Sequence, residues 1–331
     1  MVSAPIESAL RREVALGQTY EILDTQLPWL NPSFGRFCTK IQENSDAFTY
    51  LKDVYNKAND PKAKLPVEHV EGTKFPEIDR TRKTITAQVL KEKGFSLRIG
   101  KELLKSVPKA EVEIQDNYEY AAYSLGCIAN QDMIAAAKSG ANTTTTAFTA
   151  KFTESWENAG GTADPVGDLM HLSQDMDVDG FEGTLTDAWL HKTNWYEFQD
   201  YLKNVHIDAD KQAMIGAPDI HADYITVPLV GDVHKVPTGD TGISEGQVIG
   251  MDRNHPGIEY HYRLDPEFST FKIQYNTRGT NGGMVRASTD NFGFHYRWFQ
   301  EQASRDVIQE FWLEAETVVK KPYNLIYATG I

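Results

Sequence analysis

The sequence predicts an α+β protein in which one long helix and one long late strand stand among shorter elements. Three observations carry this. Ile114, Tyr118, Ala121, Leu125 and Ile128 recur at helical spacing within residues 109–138, with Met133 near the end. From residue 307 onward, Phe311, Leu313, Ala315 and Val319 are apolar at odd positions. Glu310, Glu314, Glu316 and Lys320 are charged at even ones, the period of a strand with one buried face. Residues 84–90 (TITAQVL) and 95–99 (FSLRI) are β-like, with Gly94 between them.

Taken in order, residues 3–23 predict an amphipathic helix. Ser3 can cap it, Pro5 is tolerated in its first turn, Leu10, Val14 and Leu16 form a partial stripe, and Gly17 weakens it. Residues 24–66 carry Pro28, Pro32, Pro61 and Pro66, and predict an extended arm with short helical pieces such as residues 47–57. Pro108 precedes the long helix and Gly140 follows it. Glu111, Glu113 and Asp116 lie in its first turns, the sign that a helix N-terminus favours. Residues 139–164, with a run of threonines, read as a loop or loosely held β-structure. A short helix is predicted at 165–174, an acidic turn at 175–183, and a strand at 185–191. Asn194 with Glu197 can cap a helix running to residue 202. Residues 206–264 are mixed, with turn signals at Pro218, Pro228, 237–242 and 256–257; residues 271–275 and 292–299 read as strands. Pro322 interrupts the C-terminal strand before a last one at 323–327.

Composition bounds the function. The 331 residues include 33 basic and 47 acidic, a net charge of -14, with 40% hydrophobic and 11% aromatic residues. That is too apolar and aromatic for a disordered chain, and the length suggests about two domains. The net field repels phosphate, which excludes a general nucleic-acid-coating protein. Two cysteines, Cys38 and Cys127, exclude a disulfide framework and predict two buried thiols in a reducing compartment. No apolar run approaches the ~18 residues of a membrane span, and the first dozen residues lack the apolar core of a signal peptide.

Two motifs are incomplete. Asp175, Asp177 and Asp179 before Gly180 match the first half of a calcium loop, where alternating carboxylates converge on one cation. The twelfth position, which needs a bidentate Glu, is Thr186, so the bland reading is a solvated acidic turn and no metal is expected. Gly242, Ser244 and Gly246 match a nucleophile elbow, and Asp265 and His295 follow in hydrolase order. The elbow requires a strand before it and a helix after it, whereas a turn-rich VPTGDT precedes and a β-like QVIGM follows. No HExxH, GxGxxG or P-loop occurs. No catalytic residue, cofactor or enzymatic activity is therefore expected.

The order of elements resembles a known family. EKGFSLRIGKELLKSVPKAEVEIQDNYEYAAYSLGCIANQDMIAAAKSGAN, residues 92–142, is similar to major capsid proteins of tailed viruses with the Hong Kong 97-type fold. In these a basic β-loop leads through a G-F-x-L-x-I strand and E-L-L turn into a long spine helix; Gly94, Phe95, Leu97, Ile99, Glu102, Leu103 and Leu104 match. Residues 164–202 look like the next helix, turn, strand and helix. GQVIGMDRNHPGIEYHY, residues 246–262, looks like a later axial-domain strand, and VVKKPYNLIYATG, residues 318–330, like the final segment. The likeness covers about residues 65–331 and rests on joint order, since no single motif is diagnostic.

The resemblance implies an N-terminal arm at 1–66, an extended loop at 67–100, a peripheral domain at 101–163 and 265–331, and an axial domain at 164–264. It implies a structural, non-enzymatic protein of the virion capsid. Copies of the chain would associate as hexamers and pentamers into an icosahedral head around packaged double-stranded DNA, assembled in the host cytoplasm. Portal, decoration and scaffolding proteins are the further partners it implies; a scaffolding region does not fit before the arm, so scaffolding is expected to be separate or absent. The alternatives are an encapsulin-type nanocompartment shell, which shares the fold, and more remotely a serine or metal-dependent hydrolase using the motifs above.

Charge adds one expectation. Residues 74–105 hold nine Lys or Arg against four acidic residues, a local net charge of +5, whereas 164–187 hold seven acidic residues and no Lys or Arg. In a shell of identical subunits each loop meets the same neighbouring surface. Lys74, Arg80, Arg82 and Lys83 are accordingly expected to contact Glu111, Glu113, Asp116 and Glu119 of an adjacent subunit rather than DNA. The bland alternative is a solvated face.

Overall fold

The computed structural model of the chain describes residues 38–53, 83–143, 156, 163–176, 184–207, 219–220, 224–228, 230–236, 242–263, 272–275, 281–286, 294–301, 304 and 306–331. The expected helix at 3–23, the calcium-loop positions Asp177 and Asp179, and most of the threonine-rich stretch lie outside these residues. Among the described residues the strands are β1 (Thr39–Glu43), β2 (Ala47–Asp53), β3 (Lys83–Val89), β4 (Lys91–Ile99), β5 (Asn142–Thr143), β6 (Asp187–Leu190), β7 (Asp219–Ile220) and β8 (Tyr224–Val227). They continue as β9 (Gly231–Lys235), β10 (Gln247–Met251), β11 (Ile258–Arg263), β12 (Lys272–Tyr275), β13 (Asn281–Arg286), β14 (Phe294–Gln300), β15 (Val307–Val319) and β16 (Leu325–Thr329). The helices are α1 (Val107–Gly140), α2 (Pro165–Met176) and α3 (Lys192–Ile207). Among the described residues no helix is long and apolar enough to cross a membrane.

The first sheet is organised by β15. It pairs antiparallel with β14 along 307–313, with β4 along 307–315, and with β11 along 315–319. Alternation predicts the packing: Ile308, Glu310, Trp312 and Glu314 are only partly buried, and Val307, Phe311 and Leu313 at the alternate positions are buried. Gln309 sits among them fully buried; its Oε1 accepts a hydrogen bond from Asn117 Nδ2 at 2.7 Å, which satisfies it and ties the strand to α1. Beyond residue 316 alternation stops and Thr317, Val318 and Val319 are all buried, because both faces are covered there.

α1 spans 34 residues, about 50 Å at 1.5 Å each. Ile114, Ala121 and Leu125 are fully buried as the periodicity predicts, and the stripe continues through Ala129, Met133, Ile134 and Ala137. Gly140 ends the helix from within rather than following it. A Cβ there would come within 2.6 Å of Val319, so glycine gives the close helix–strand approach.

Residues 47–53 form a strand, not the expected helical piece. Phe48, Thr49, Tyr50 and Leu51 are β-favouring, and the segment finds a partner in β3, with Leu51 opposite Ile85 and Ala47 opposite Val89. β2 and β3 make a two-stranded ribbon.

The second sheet has the order β5-β16-β10-β6-β9-β8-β7. All four residues of β6 are buried, so no alternation marks it in the sequence. Trp189 joins the core beneath α1, with Ile249 and Met251. Ala188 and Leu190 join a second core with Leu169 and Leu172 of α2 and Trp195 and Phe198 of α3. The sheet is thus a layer between α1 and the pair α2, α3. The mixed stretch 206–264 contains the β8–β9 turn, where Gly231 takes φ +108 and a Cβ would lie 2.3 Å from the Thr186 carbonyl oxygen. Asn194 lies inside α3 rather than capping it, although its Nδ2 does reach Glu197 Oε2 at 3.0 Å.

Sheet membership does not follow the expected division at residue 264. β11 belongs to the first sheet, while β16 returns to the second. The two crossings hold each other. Asp252 N–H donates to the Asn324 carbonyl at 3.1 Å, Lys320 N–H to the Gly257 carbonyl at 2.8 Å, and Asn324 Nδ2 to the His255 carbonyl at 2.6 Å.

Candidate assembly surface

The ribbon presents two unlike faces. Phe48 and Tyr50 turn inward; Phe48 is buried with Leu90 and Val318 and stacks on His261, ring centroids 4.1 Å apart. The outer face carries Leu51, Ile85 and Val89 at 45%, 76% and 56% exposure. The two cross-strand pairs on it, four residues apart, are separated by about 13 Å along the ribbon. The outward face of α1 exposes Val112 and Tyr120, eight residues or about 12 Å apart. Tyr120 meets the edge of Phe95 at 5.8 Å.

Lys74, Arg80 and Arg82 lie outside the described residues, and Lys83 opens β3 opposite Asp53. Glu113 and Asp116 reach the surface of α1; Glu111 and Glu119 lie on the same helix. Other basic residues of the 74–105 patch have partners within the chain. Lys93 Nζ lies 2.5 Å from Asp132 of α1, Lys91 Nζ 2.9 Å from Glu316, and Arg98 3.3 Å from both Glu301 and Asp306. A cleft of roughly 520 Å³ between the ribbon, β4, β15 and α1 is lined by Lys52, Lys91 and Lys93 together with Asp132 and Glu316. These carboxylates offset its lysines, so it is no simple anion site.

The structure assembles ionic groups that the sequence did not reveal. Asp187 of β6, Asp232 and His234 of β9 place ligand atoms within 4.8 Å of one another, near enough for a metal ion. The Arg253 guanidinium already bridges the two carboxylates, its Nε 2.9 Å from Asp187 Oδ2, and supplies the cation. His234 Nε2 contacts Asp187 Oδ1 at 2.8 Å. Burial alone would raise the Asp187 carboxyl, but hydrogen bonds from His234 and Arg253 outweigh it and hold it below the usual range. Nothing in the sequence flags this group, because its members come from β6, β9 and the turn after β10.

A second acidic group surrounds the start of α2. Asp164 accepts from Gly167 N–H at 3.1 Å and from the Tyr201 hydroxyl at 2.7 Å; Asp168 accepts from Trp156 Nε1 at 2.9 Å. Burial pushes the Asp168 carboxyl up to about 6, partly offset by that indole and reinforced by Asp164. Asp175 lies in α2.

The hydrolase motif does not come together. Ser244 sits in an exposed turn that leads into β10 of the second sheet rather than a helix. His295 is buried in β14 of the first sheet, 3.2 Å from the Arg263 carbonyl, and Asp265 lies outside the described residues. Cys38 is buried with Sγ 3.6 Å from Met133 Sδ, Cys127 is half-buried, and neither forms a disulfide.

No protein-family model and no curated protein sequence matches the chain. Solved structures do. A phage-related protein from Bordetella bronchiseptica RB50 aligns with 93% of this chain and 95% of its own at 8% identity, TM-score 0.50. A protein described as a prophage capsid protein of Escherichia coli CFT073 aligns over 92% of each chain at 8% identity, TM-score 0.50. The virus-like particle of Pyrococcus furiosus aligns over 94% of this chain and 97% of its own at 11% identity, TM-score 0.49. On the first two of these alignments, with its β-loop, long helix and two mixed sheets in the order described, the chain has the Hong Kong 97-type fold of capsid proteins.

Proposed function

We propose that this chain is a major capsid protein whose copies assemble into a closed icosahedral shell, the virion head of a tailed virus that encloses double-stranded DNA. The observation that carries the reading is near end-to-end correspondence of fold with a prophage capsid protein. In this reading the arm is 1–66, the extended loop 67–100, the peripheral unit is built on α1 and β15, and the axial unit on α2, α3 and β6, with β11 and β16 crossing between the sheets and β2 of the arm pairing with β3 of the loop. The loop's base is the β2–β3 ribbon. We assign its apolar outer face, with Lys74, Arg80, Arg82 and Lys83, to a neighbouring subunit's α1, where Val112 and Tyr120 stand at matching spacing beside Glu111, Glu113, Asp116 and Glu119. Exposed ion pairs contribute only about 0–1 kcal/mol each, so their role is to select register while apolar burial supplies affinity.

Electron microscopy and light scattering of the purified chain test the assembly. Megadalton closed particles are expected; a monodisperse monomer or dimer under assembly conditions contradicts the reading. Nuclease-resistant DNA inside native particles separates a virion head from an encapsulin shell, which would hold a protein cargo. Reversing Arg80 and Arg82 to Glu is expected to slow or misdirect assembly of a folded subunit, and high salt to mimic the defect.

A further inference from the structure

The ribbon rests on the first sheet at one chemically unusual point. His261 of β11 is buried, 3% exposed, beneath the Phe48 ring, with the two planes 15° from parallel. Its Nδ1 lies 2.7 Å from Glu43 Oε1 of β1. Its Nε2 is buried, without a hydrogen bond of normal geometry, and faces Glu259 Oε2 at 3.4 Å. The charged and titratable neighbours come from every element packed around it. Glu259 has Lys320 at 2.5 Å, and Glu316, the cross-strand partner of His261 on β15, has Lys91 at 2.9 Å. β2 contributes Tyr50, 6.4 Å away between ring centroids, and Lys52 in the adjoining cleft. Among the described residues, the ion-pair partner of Glu43 is His261 itself.

We propose that His261 is a protonation-sensitive latch that sets how firmly the β2–β3 ribbon is held on the first sheet. The imidazolium carries two N–H groups, one for each flanking carboxylate, and places a cation against the Phe48 face. Neutral imidazole has one N–H. With that proton on Nδ1 for Glu43, Nε2 turns a lone pair toward buried Glu259, and the partly exposed Glu43 loses its opposing charge. The ribbon contact then weakens, while Asp53 N–H to the Lys320 carbonyl still holds one end and the chain itself, running from β1 into β2 and from β3 into β4, holds the other. Loosening therefore releases the middle of the ribbon without detaching it. This inference does not depend on the chain forming a shell.

Hydrogen exchange by mass spectrometry tests it on the full chain at about pH 5 and about pH 8, on either side of the ordinary histidine range, after correction for intrinsic exchange. Peptides over residues 47–53 and 83–90 are expected to lose about tenfold protection at the higher pH, while those over 121–137 in α1 hold theirs. His261→Gln is expected to abolish the step. Should that variant fail to fold, Phe48→Leu keeps the apolar plug, removes the ring stack, and is expected to shrink it. Equal ribbon protection at both pH values overturns the latch. So does a step that survives in His261→Gln or is undiminished in Phe48→Leu, or one of equal size in α1.

Discussion

Every residue of β6 is buried, with Trp189 in one core and Ala188 and Leu190 in another, whereas β2 and β3 bury Phe48 and leave Leu51, Ile85 and Val89 exposed. Both regions are built of short strands. The second sheet has α1 on one side and α2 with α3 on the other, so its own chain completes it. Among the described residues the ribbon is completed on one side only. An isolated two-stranded ribbon is marginal in water, and a contiguous apolar face left open marks a place where stabilisation must come from another surface. The same chain thus contains a region whose sequence answers to its own core and a region whose outer face finds no partner among the described residues.

That contrast can be broken in order of expected effect. Trp195→Ala removes a fully buried indole from the second core and is expected to cost about 3–5 kcal/mol by urea unfolding of the subunit. A much smaller loss would show that the core is less closed than its burial indicates. Arg253→Ala leaves Asp187 buried without its bridging cation and is expected to cost about 2–3 kcal/mol. That is less than a fully buried broken pair, because Arg253 is itself partly exposed.

The third comparison uses pH. The folded Asp168 carboxyl is raised to about 6 from an ordinary 3.8, so between these values the folded state binds more protons than the unfolded state. Stability from this group is therefore full below about pH 4, falls as pH rises toward 6, and is level above that, a total of roughly 2–3 kcal/mol. Asp168→Asn, which keeps an acceptor for the Trp156 indole, is expected to flatten that fall in unfolding measured at about pH 4.5 and 7. An unchanged slope would assign the pH dependence to other groups. The smallest effect belongs to the ribbon: Ile85→Ser is expected to change subunit stability by no more than about 0.5 kcal/mol, although it strips the open face of its most exposed anchor. A loss as large as that of Trp195→Ala would mean that the face is already covered by its own chain.

Legibility followed from where each residue finds its partner. α1 and the 307–313 part of β15 follow a clear period because each buries one face there. β2 was read as helical because a seven-residue segment carries too little periodicity to separate helix from strand without its partner β3. β6 gave no alternation because both faces are buried. The basic patch was visible as composition, but the sequence could not show that Lys93 pairs with Asp132 of α1 in the same chain.

The amino-acid order by itself determined the long helix, the long amphipathic strand, the β-loop before the helix and the overall α+β class, since these depend on local period and turn chemistry. Only the tertiary structure decided that β11 and β16 trade sheets, that Gly140 is held against Val319, and that Arg253 stands between Asp187 and Asp232. It alone also decided that His261 lies beneath Phe48 between two glutamates. Those arrangements bring together residues from remote parts of the chain, and side chains that distant in sequence share no period; their meeting is fixed by how layers pack and by which buried charge has no other partner.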